Sequence, residues 1–470
     1  MMKKIIEFGI YLLIFLLPWQ TRWIVEAGKI NCGTSEYLTY SLYGVDILLV
    51  GLLVLALIYF FLGTFLGTKS PIGNLVPKKT SIYPFMEVKL LLIFLGLGGL
   101  SIFWAENKTL ALFREGQLIL VLGFFWLVAN FAKISKLALS FVASLIVPTL
   151  LGLWQFFAQT TFADKWLGLA THKTSLGGTS VIETFSNGIV DGRWLRAYGS
   201  FDHPNIFGGV VAIGSLVTLI LLCHFSLNGK FLGTKSPLGN LVPKNKFIFQ
   251  GQAYFLCLFL HFCLAIFSAG LFASLSRSAW LALMLGVIFI GARLLFQKKF
   301  EDLKSLVSGG IIISAVFLVM FLGYRNLVNV RVEGGTRLEN LSLDQREVYL
   351  QQAKILITKN PTMGVAIGNY ISSLAKLKPT DQAWTYQPVH NVLLLIWAEL
   401  GIFGLMAFVG FLASLSWKLG RKNELSGALL IALLPMLLLD HWLWSFHFGL
   451  LFFALVIALA TGFSGEKKVI

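Results

Sequence analysis

Apolar runs close to 20 residues long recur along the whole chain. This pattern constrains the fold more than any single motif, because about 20 apolar residues are what a helix needs to cross a bilayer. Twelve runs are counted, at residues 5–17, 42–63, 85–105, 116–132, 137–157, 205–226, 252–273, 278–296, 309–324, 390–416, 425–440 and 442–462. The last two are separated only by Asp440-His441 and could form one re-entrant hairpin. Composition agrees: 57% of the residues are hydrophobic and 13% charged, against about 25% charged in ordinary soluble domains. A soluble globular enzyme, a disordered chain and a fibrous repeat are excluded. The expected fold is an all-α polytopic transmembrane helix bundle of about twelve spans, one integral membrane domain over residues 1–470.

The net charge of +16 arises from lysines and arginines scattered between the apolar runs. No basic stripe with interleaved aromatics exists, so nucleic acid is not an expected partner. The basic residues read as topology signals instead. With the N-terminus cytoplasmic, the even-numbered loops and both ends carry 20 basic and four acidic residues, which places both ends inside. The start, Met1-Met2-Lys3-Lys4 before an apolar run, imitates a signal peptide but lacks a small-residue cleavage site, so an uncleaved first helix is expected. Cys32, Cys223, Cys257 and Cys263 form no C-x-x-C pair and predict neither a disulfide framework nor a zinc site.

Two outer loops are long, 158–203 and 325–389, the second between spans nine and ten. Chemistry that needs polar groups is expected on that face. Within the second loop, Ser342-Leu343-Asp344-Gln345 fits a capping box and Asn360-Pro361 a stop, which predicts an amphipathic helix. Residues 65–79 and 231–245 match at thirteen of fifteen positions and read as two insertions of one mobile coding element in cytoplasmic loops. Their Gly-Thr-Lys-Ser lacks phosphate-loop spacing.

Four clusters could carry chemistry, because ionisable groups inside or bordering a bundle are costly to keep. The first runs from Arg196 through His203-Pro204-Asn205 into span six, with Arg193 three residues earlier. The second is Ser274-Leu275-Ser276-Arg277-Ser278, entering span eight. The planar fork of an arginine suits phosphate oxygens, so two or three arginines at one mouth suggest a phosphate or pyrophosphate ligand. A lipid-headgroup contact is the structural alternative. The third is His390-Asn391, followed by Glu399-Leu400-Gly401. His390 can accept a proton at neutral pH. Glu399 is nine residues on, about 900° around a helix, and is expected to bond a neighbouring helix. The fourth is Asp440-His441 with Trp444 and His447, where Asp440, Trp444 and His447 would share a helix face. No histidine spacing matches a common metal motif, and neither metal nor cofactor is expected.

These clusters, in this order, resemble the O-antigen ligase and polymerase family of integral membrane proteins. The matching stretches are Arg196 to Phe207, Leu275 to Leu281, Arg346 to Tyr370 with its Asn-Pro-x-x-Gly, His390-Asn391 through Gly404, and Asp440 to Gly449. The resemblance implies a glycosyltransferase of the inner membrane with its active site on the outer face. Such enzymes move a glycan from an undecaprenyl-pyrophosphate carrier to a hydroxyl of a glycolipid, a growing glycan or a protein, without metal or nucleotide sugar. Carried over by position, Arg196 and Arg277 would bind the pyrophosphate and His390 would be the general base. Asn391, Asp344, Arg346, Tyr370, Arg193 and Asn205 would help to position substrate, and Glu399, Asp440 and Ser276 would support the site. Departures are the two insertions and Ala366, where the family often has glycine. Ligase is ranked ahead of polymerase and protein glycosylation. A secondary transporter of a small anion and a purely structural scaffold are the readings from other classes. Against the transporter, no pair of Gly/Pro-broken inverted spans occurs.

Overall fold

All twelve apolar spans coincide with helices in the structure, a computed structural model that describes residues 1–31, 33–65, 85–186, 189–224, 246–379, 382–422 and 425–465. Apart from Phe65, the duplicated 15-residue segments lie outside the described residues. The chain begins with α1 (Met2–Leu16), α2 (Gly44–Phe65), α3 (Phe85–Ser101) and α4 (Lys108–Phe131). The span expected at 137–157 is two helices, α5 (Ile134–Ser144) and α6 (Ile146–Ala158). Then come α7 (Pro204–His224), α8 (Lys246–Ala273), α9 (Arg277–Phe296) and α10 (Phe300–Glu333). The helices α11 (Arg337–Lys359) and α12 (Tyr370–Leu377) precede α13 (Val392–Arg421), α14 (Gly427–Leu439), the single turn α15 (Trp442–Ser445) and α16 (His447–Gly465). Among the described residues, nine helical segments are long and apolar enough to cross a membrane, while α1, α14 and α16 are shorter. The all-α bundle expectation holds.

Every residue of α7 between Ile206 and Cys223 is buried. A helix that is hydrophobic all round belongs at the centre, and α5, α8, α9, α10 and α14 pack against it. Because α7 is central, Asn205 in its first turn and His203 just before it are brought to the axis of the bundle.

Three departures from the sequence expectation matter for the site. First, the segments between helices at this end contain strands. Arg22–Glu26 (β1) pairs with Tyr40–Tyr43 (β4), enclosing the short Lys29–Ile30 (β2) and Gly33–Thr34 (β3), and Val181–Ser186 (β5) pairs with Ile189–Leu195 (β6). Their β-branched and aromatic residues suit a pleated surface, but such short pairs are weak signals against a background of apolar spans. Second, α11 starts at Arg337, before the expected box. Its cap is Thr336, whose hydroxyl accepts from the Glu339 N–H at 3.2 Å. Thr336-x-x-Glu339 has the same spacing as the box read at Ser342, and the earlier one wins. Asn360 ends the helix as expected. Third, Asp440, Trp444 and His447 share no face. The backbone is extended at Asp440 (φ −152°, ψ 170°) and at Phe446 (φ −106°, ψ 143°), so the helix is broken twice.

A close backbone approach orders the end of the loop that precedes α13. Gly401 has φ +68° inside α13, and a Cβ there would lie 1.9 Å from the Thr362 carbonyl oxygen. The Gly364 Cβ would lie 2.3 Å from the Glu399 carbonyl oxygen. Only glycine permits this contact. It lets the Val365, Ala366 and Ile402 N–H groups donate to Ala398, Glu399 and Pro361 at 2.8, 2.9 and 3.0 Å. The Asn-Pro-x-x-Gly segment is therefore docked on the kink of α13, and the docking positions the start of that helix.

Candidate functional site

The side chains singled out in the sequence gather at one end of the bundle in two clusters. The first is built on arginines. Arg196 follows β6 and is buried. Four of its five N–H groups donate within the protein: Nε to the Ser274 carbonyl at 2.8 Å, Nη1 to Ser180 Oγ at 2.8 Å, and Nη2 to Asn205 Oδ1 at 2.8 Å and to the Leu275 carbonyl at 3.3 Å. Leu275 has φ +47°, a strained conformation for a leucine, and its carbonyl also accepts from Arg331 Nε at 3.0 Å. Two arginines thus hold the Ser274-Leu275-Ser276 turn that starts α9. Arg277 donates to the Arg331 carbonyl at 3.0 Å and to Glu339 Oε2 at 3.3 Å, and Arg331 pairs with the other Glu339 oxygen. Glu339 is therefore shared by two arginines. The Arg277 side chain keeps 39% of its surface, whereas Arg331 keeps 9%. Two arginines on one glutamate, with Arg196 bonded to the same turn, leave net positive charge at a mouth where Arg277 is the most open of the three.

The second cluster is built on histidines. His390 sits in the turn before α13, Asp440 and His441 in the break between α14 and α15, and His203 just before α7. Asp440 Oδ2 accepts from Asn205 Nδ2 at 2.9 Å and Oδ1 from the His441 N–H at 2.8 Å. His441 Nδ1 lies 2.6 Å from Ser445 Oγ. The His390 ring stacks on Tyr349 of α11 (centroids 5.6 Å, 8°) and stands across His441 (4.8 Å, 83°). His390 Nδ1 is buried and has no hydrogen-bond partner in the protein. Asn205 joins the two clusters, because its oxygen takes a bond from Arg196 and its nitrogen gives one to Asp440.

The electrostatics favour neutral histidines. Burial lowers the pKa of His390 against the pull of Asp440; the Arg346 charge lowers it further, and the Pro388 backbone opposes the shift. Burial and the neighbouring His390 push His441 down to about 3. Burial and Arg196 push His203 to about 3. Burial alone would raise the Asp440 carboxyl, yet His390, His441, His203 and the Asn205 amide hold it below the usual carboxylate range. The cluster is thus a carboxylate among neutral imidazoles, an arrangement that can take up a proton and spread it. The ligand atoms of His390, Asp440 and His441 also lie within 4.8 Å of one another, a grouping that could hold a cation. The Arg346 charge acts against a cation there, while His441 uses Nδ1 on Ser445 and each Asp440 oxygen accepts one bond.

The remaining sequence candidates are accounted for individually. Asn391 caps α13, accepting from the Leu394 N–H at 3.0 Å and donating to the Leu438 carbonyl at 3.2 Å. Glu399 accepts from Trp444 Nε1 at 2.9 Å, across to α15. Arg193 lies in β6, 4.0 Å from Glu183 and bonded to the Thr174 carbonyl at 3.4 Å, away from the Arg196 cluster. Arg346 is half-buried on α11 and exerts its charge on His390 and His441. Tyr370 is buried at the start of α12, and Ser276 precedes α9 with its hydroxyl 3.3 Å from Ser278 Oγ. Asp344 is exposed on α11. Arg331, Glu339 and Tyr349 escaped the sequence reading. The Thr336-x-x-Glu339 box could have flagged Glu339, but nothing in the sequence pairs it with Arg277.

Residues 262–409 match the family described as O-Antigen ligase. The matched stretch contains Arg277, Arg331, Glu339, Arg346, Tyr349 and His390, and it bears out the family resemblance drawn from the motifs. Nine helices long and apolar enough to cross a membrane accompany that match among the described residues, as an integral membrane protein requires. A comparison with curated proteins finds no match.

Proposed function

We propose that the protein transfers a glycan from an undecaprenyl-pyrophosphate carrier to an acceptor hydroxyl at the outer face of the inner membrane, as an O-antigen ligase does, without metal or cofactor. The observation that carries this reading is the unpartnered, buried Nδ1 of His390, held beside a carboxylate that Asn205 links to Arg196 of the arginine cluster. His390 takes the proton of the acceptor hydroxyl as that oxygen attacks the anomeric carbon. The bond from carbon to the pyrophosphate oxygen breaks, its electron pair leaves with the pyrophosphate, and in-line attack inverts the anomeric centre. The departing charge needs fixed cations in a site poor in water. Arg277 is the open one and takes the pyrophosphate directly. Arg331 and Arg196 act through their charge and by holding the turn that aims Arg277, and Arg196 also orients Asp440 through Asn205. Asp440 stabilises the imidazolium that forms at His390.

The transfer is tested with the purified protein, a polyprenyl-pyrophosphate glycan and glycolipid, glycan and peptide acceptors, with EDTA present. Transfer that survives EDTA and is lost in His390→Ala, with Arg277→Ala and Arg196→Ala also defective, is the expected result. The productive acceptor separates ligase from polymerase and from protein glycosylation. Transfer abolished by EDTA and restored by a divalent ion overturns the metal-independent mechanism and assigns His390, Asp440 and His441 to that ion. Folded variants with full activity overturn the residue roles.

A further inference from the structure

Glu339 holds two arginines, yet its place in the chain offers it a second partner. Thr336-x-x-Glu339 is a capping box at the start of α11, and only half of it is made. The Thr336 hydroxyl accepts from the Glu339 N–H at 3.2 Å. In a complete box the glutamate carboxylate reaches back and accepts from the N-cap N–H. Here that carboxylate is turned away, onto Arg277 and Arg331. Thr336 is 3% exposed, and its N–H has no hydrogen-bond partner among the described residues. A buried N–H left unpaired is costly. The fold thus keeps a donor empty at the one position that Glu339 is spaced to fill.

The arginines do not need Glu339 to hold their places. Arg331 Nε donates to the Leu275 carbonyl at 3.0 Å and Arg277 Nη1 to the Arg331 carbonyl at 3.0 Å, so backbone oxygens aim both guanidinium groups. Glu339 adds two acidic oxygens, one on each arginine. Two oxygens of a phosphate group present the same pair of acceptors with more charge behind them. The Arg277 side chain, 39% exposed, lets such a group approach. Gly334 and Gly335 precede the box with φ +73° and +85° and nothing within 4 Å of either Cβ position, so no packing opposes an adjustment of the N-cap.

We propose that Glu339 is a stand-in anion: a diphosphate entering at Arg277 and Arg331 displaces its carboxylate, which swings to the Thr336 N–H and completes the capping box. In the resting protein Glu339 neutralises part of the arginine charge and shuts out weakly charged anions. A ligand that carries two charges overcomes it. That the diphosphate is the leaving group of a glycan transfer rests on the proposed function. The displacement itself does not.

The test uses the full-length protein in detergent with EDTA, without any glycan, and inorganic pyrophosphate as the probe. Calorimetric titration should show Glu339→Gln binding pyrophosphate about tenfold or more tighter than the wild type. Glutamine keeps the oxygen that the box needs and removes the charge that competes, whereas loss of a merely structural residue would weaken binding. Hydrogen–deuterium exchange on a peptide spanning 334–341 should show Thr336 gaining protection when pyrophosphate binds the wild type. Glu339→Gln should show that protection before any ligand is added. Phosphatidylglycerol added to the detergent should not produce it. If Glu339→Gln is not monodisperse, the wild-type exchange decides. Equal or weaker pyrophosphate binding in Glu339→Gln, unchanged exchange at Thr336, or protection by phosphatidylglycerol and not by pyrophosphate overturns the proposal. Pyrophosphate that leaves Thr336 unprotected while His390-dependent transfer proceeds sinks the displacement and leaves the function standing. Displacement without transfer does the reverse.

Discussion

The two clusters joined by Asn205 are built on opposite rules. In the arginine cluster each guanidinium is tied to groups of the protein: Arg196 spends four N–H groups, and Glu339 divides its oxygens between Arg277 and Arg331. In the histidine cluster the carboxylate is satisfied, but His390 Nδ1 is left with nothing to bond. The first cluster is a finished scaffold of fixed charge. The second is unfinished where, in the proposed transfer, a proton would arrive. A saturated charge network holds a field without reorganising, while an open acceptor lets chemistry occur, and a transfer site needs both.

Breaking the open member should give the largest effect on turnover. His390→Ala is expected to lower the transfer rate by about 10²–10⁴-fold while leaving the unfolding midpoint within error, checked by initial rates and thermal denaturation in detergent. A parallel loss of stability would mean that His390 is structural. Breaking the saturated cluster should show the opposite signature. Glu339→Ala leaves Arg331 buried beside Arg277 without its counter-charge, so stability should fall by about 3–5 kcal/mol, measured by denaturant titration. An unchanged midpoint would show that the arginines do not depend on Glu339. Arg277→Ala removes the half-open member and should reduce transfer far more than stability, read as kcat against the unfolding midpoint.

A subtler test sharpens the boundary between the clusters. His390 is lowered from its ordinary value, so it remains a free base at neutral pH and activity should fall only as the pH drops below that lowered pKa. Arg346→Ala removes a positive charge that disfavours protonation. The His390 pKa should then rise, and the acid limb of the rate profile should move to higher pH. Asp440→Asn removes a favourable charge and should move the limb to lower pH. An acid limb indifferent to both variants would assign the titration elsewhere. The smallest effect is expected at Ala366, which has φ +82° with its backbone docked on Glu399. Ala366→Gly should raise stability by about 0.5 kcal/mol, since glycine adopts this conformation without strain but loses more freedom on folding.

The periodicity of apolar runs determined the bundle, the helix positions and the gathering of polar groups at loop ends, because burial in lipid imposes a length and a composition that local sequence must meet. Residues of the candidate site were legible where they interrupt or border an apolar run, as at Arg196, Arg277, His390 and Asp440. Their partners were not. Arg331 and Glu339 sit in an ordinary polar stretch and gain meaning only when α10 and α11 place them against Arg277. Asp440, Trp444 and His447 looked like one helix face, yet two breaks aim them at Asn205, Glu399 and Asp46. Arg193 and Arg196 are near neighbours in sequence, but a strand end separates one from the site that holds the other. Sequence spacing states which side chains share an element. Which groups are spent on one another and which remain open is decided by long-range packing, since a hydrogen bond depends on where two distant segments meet.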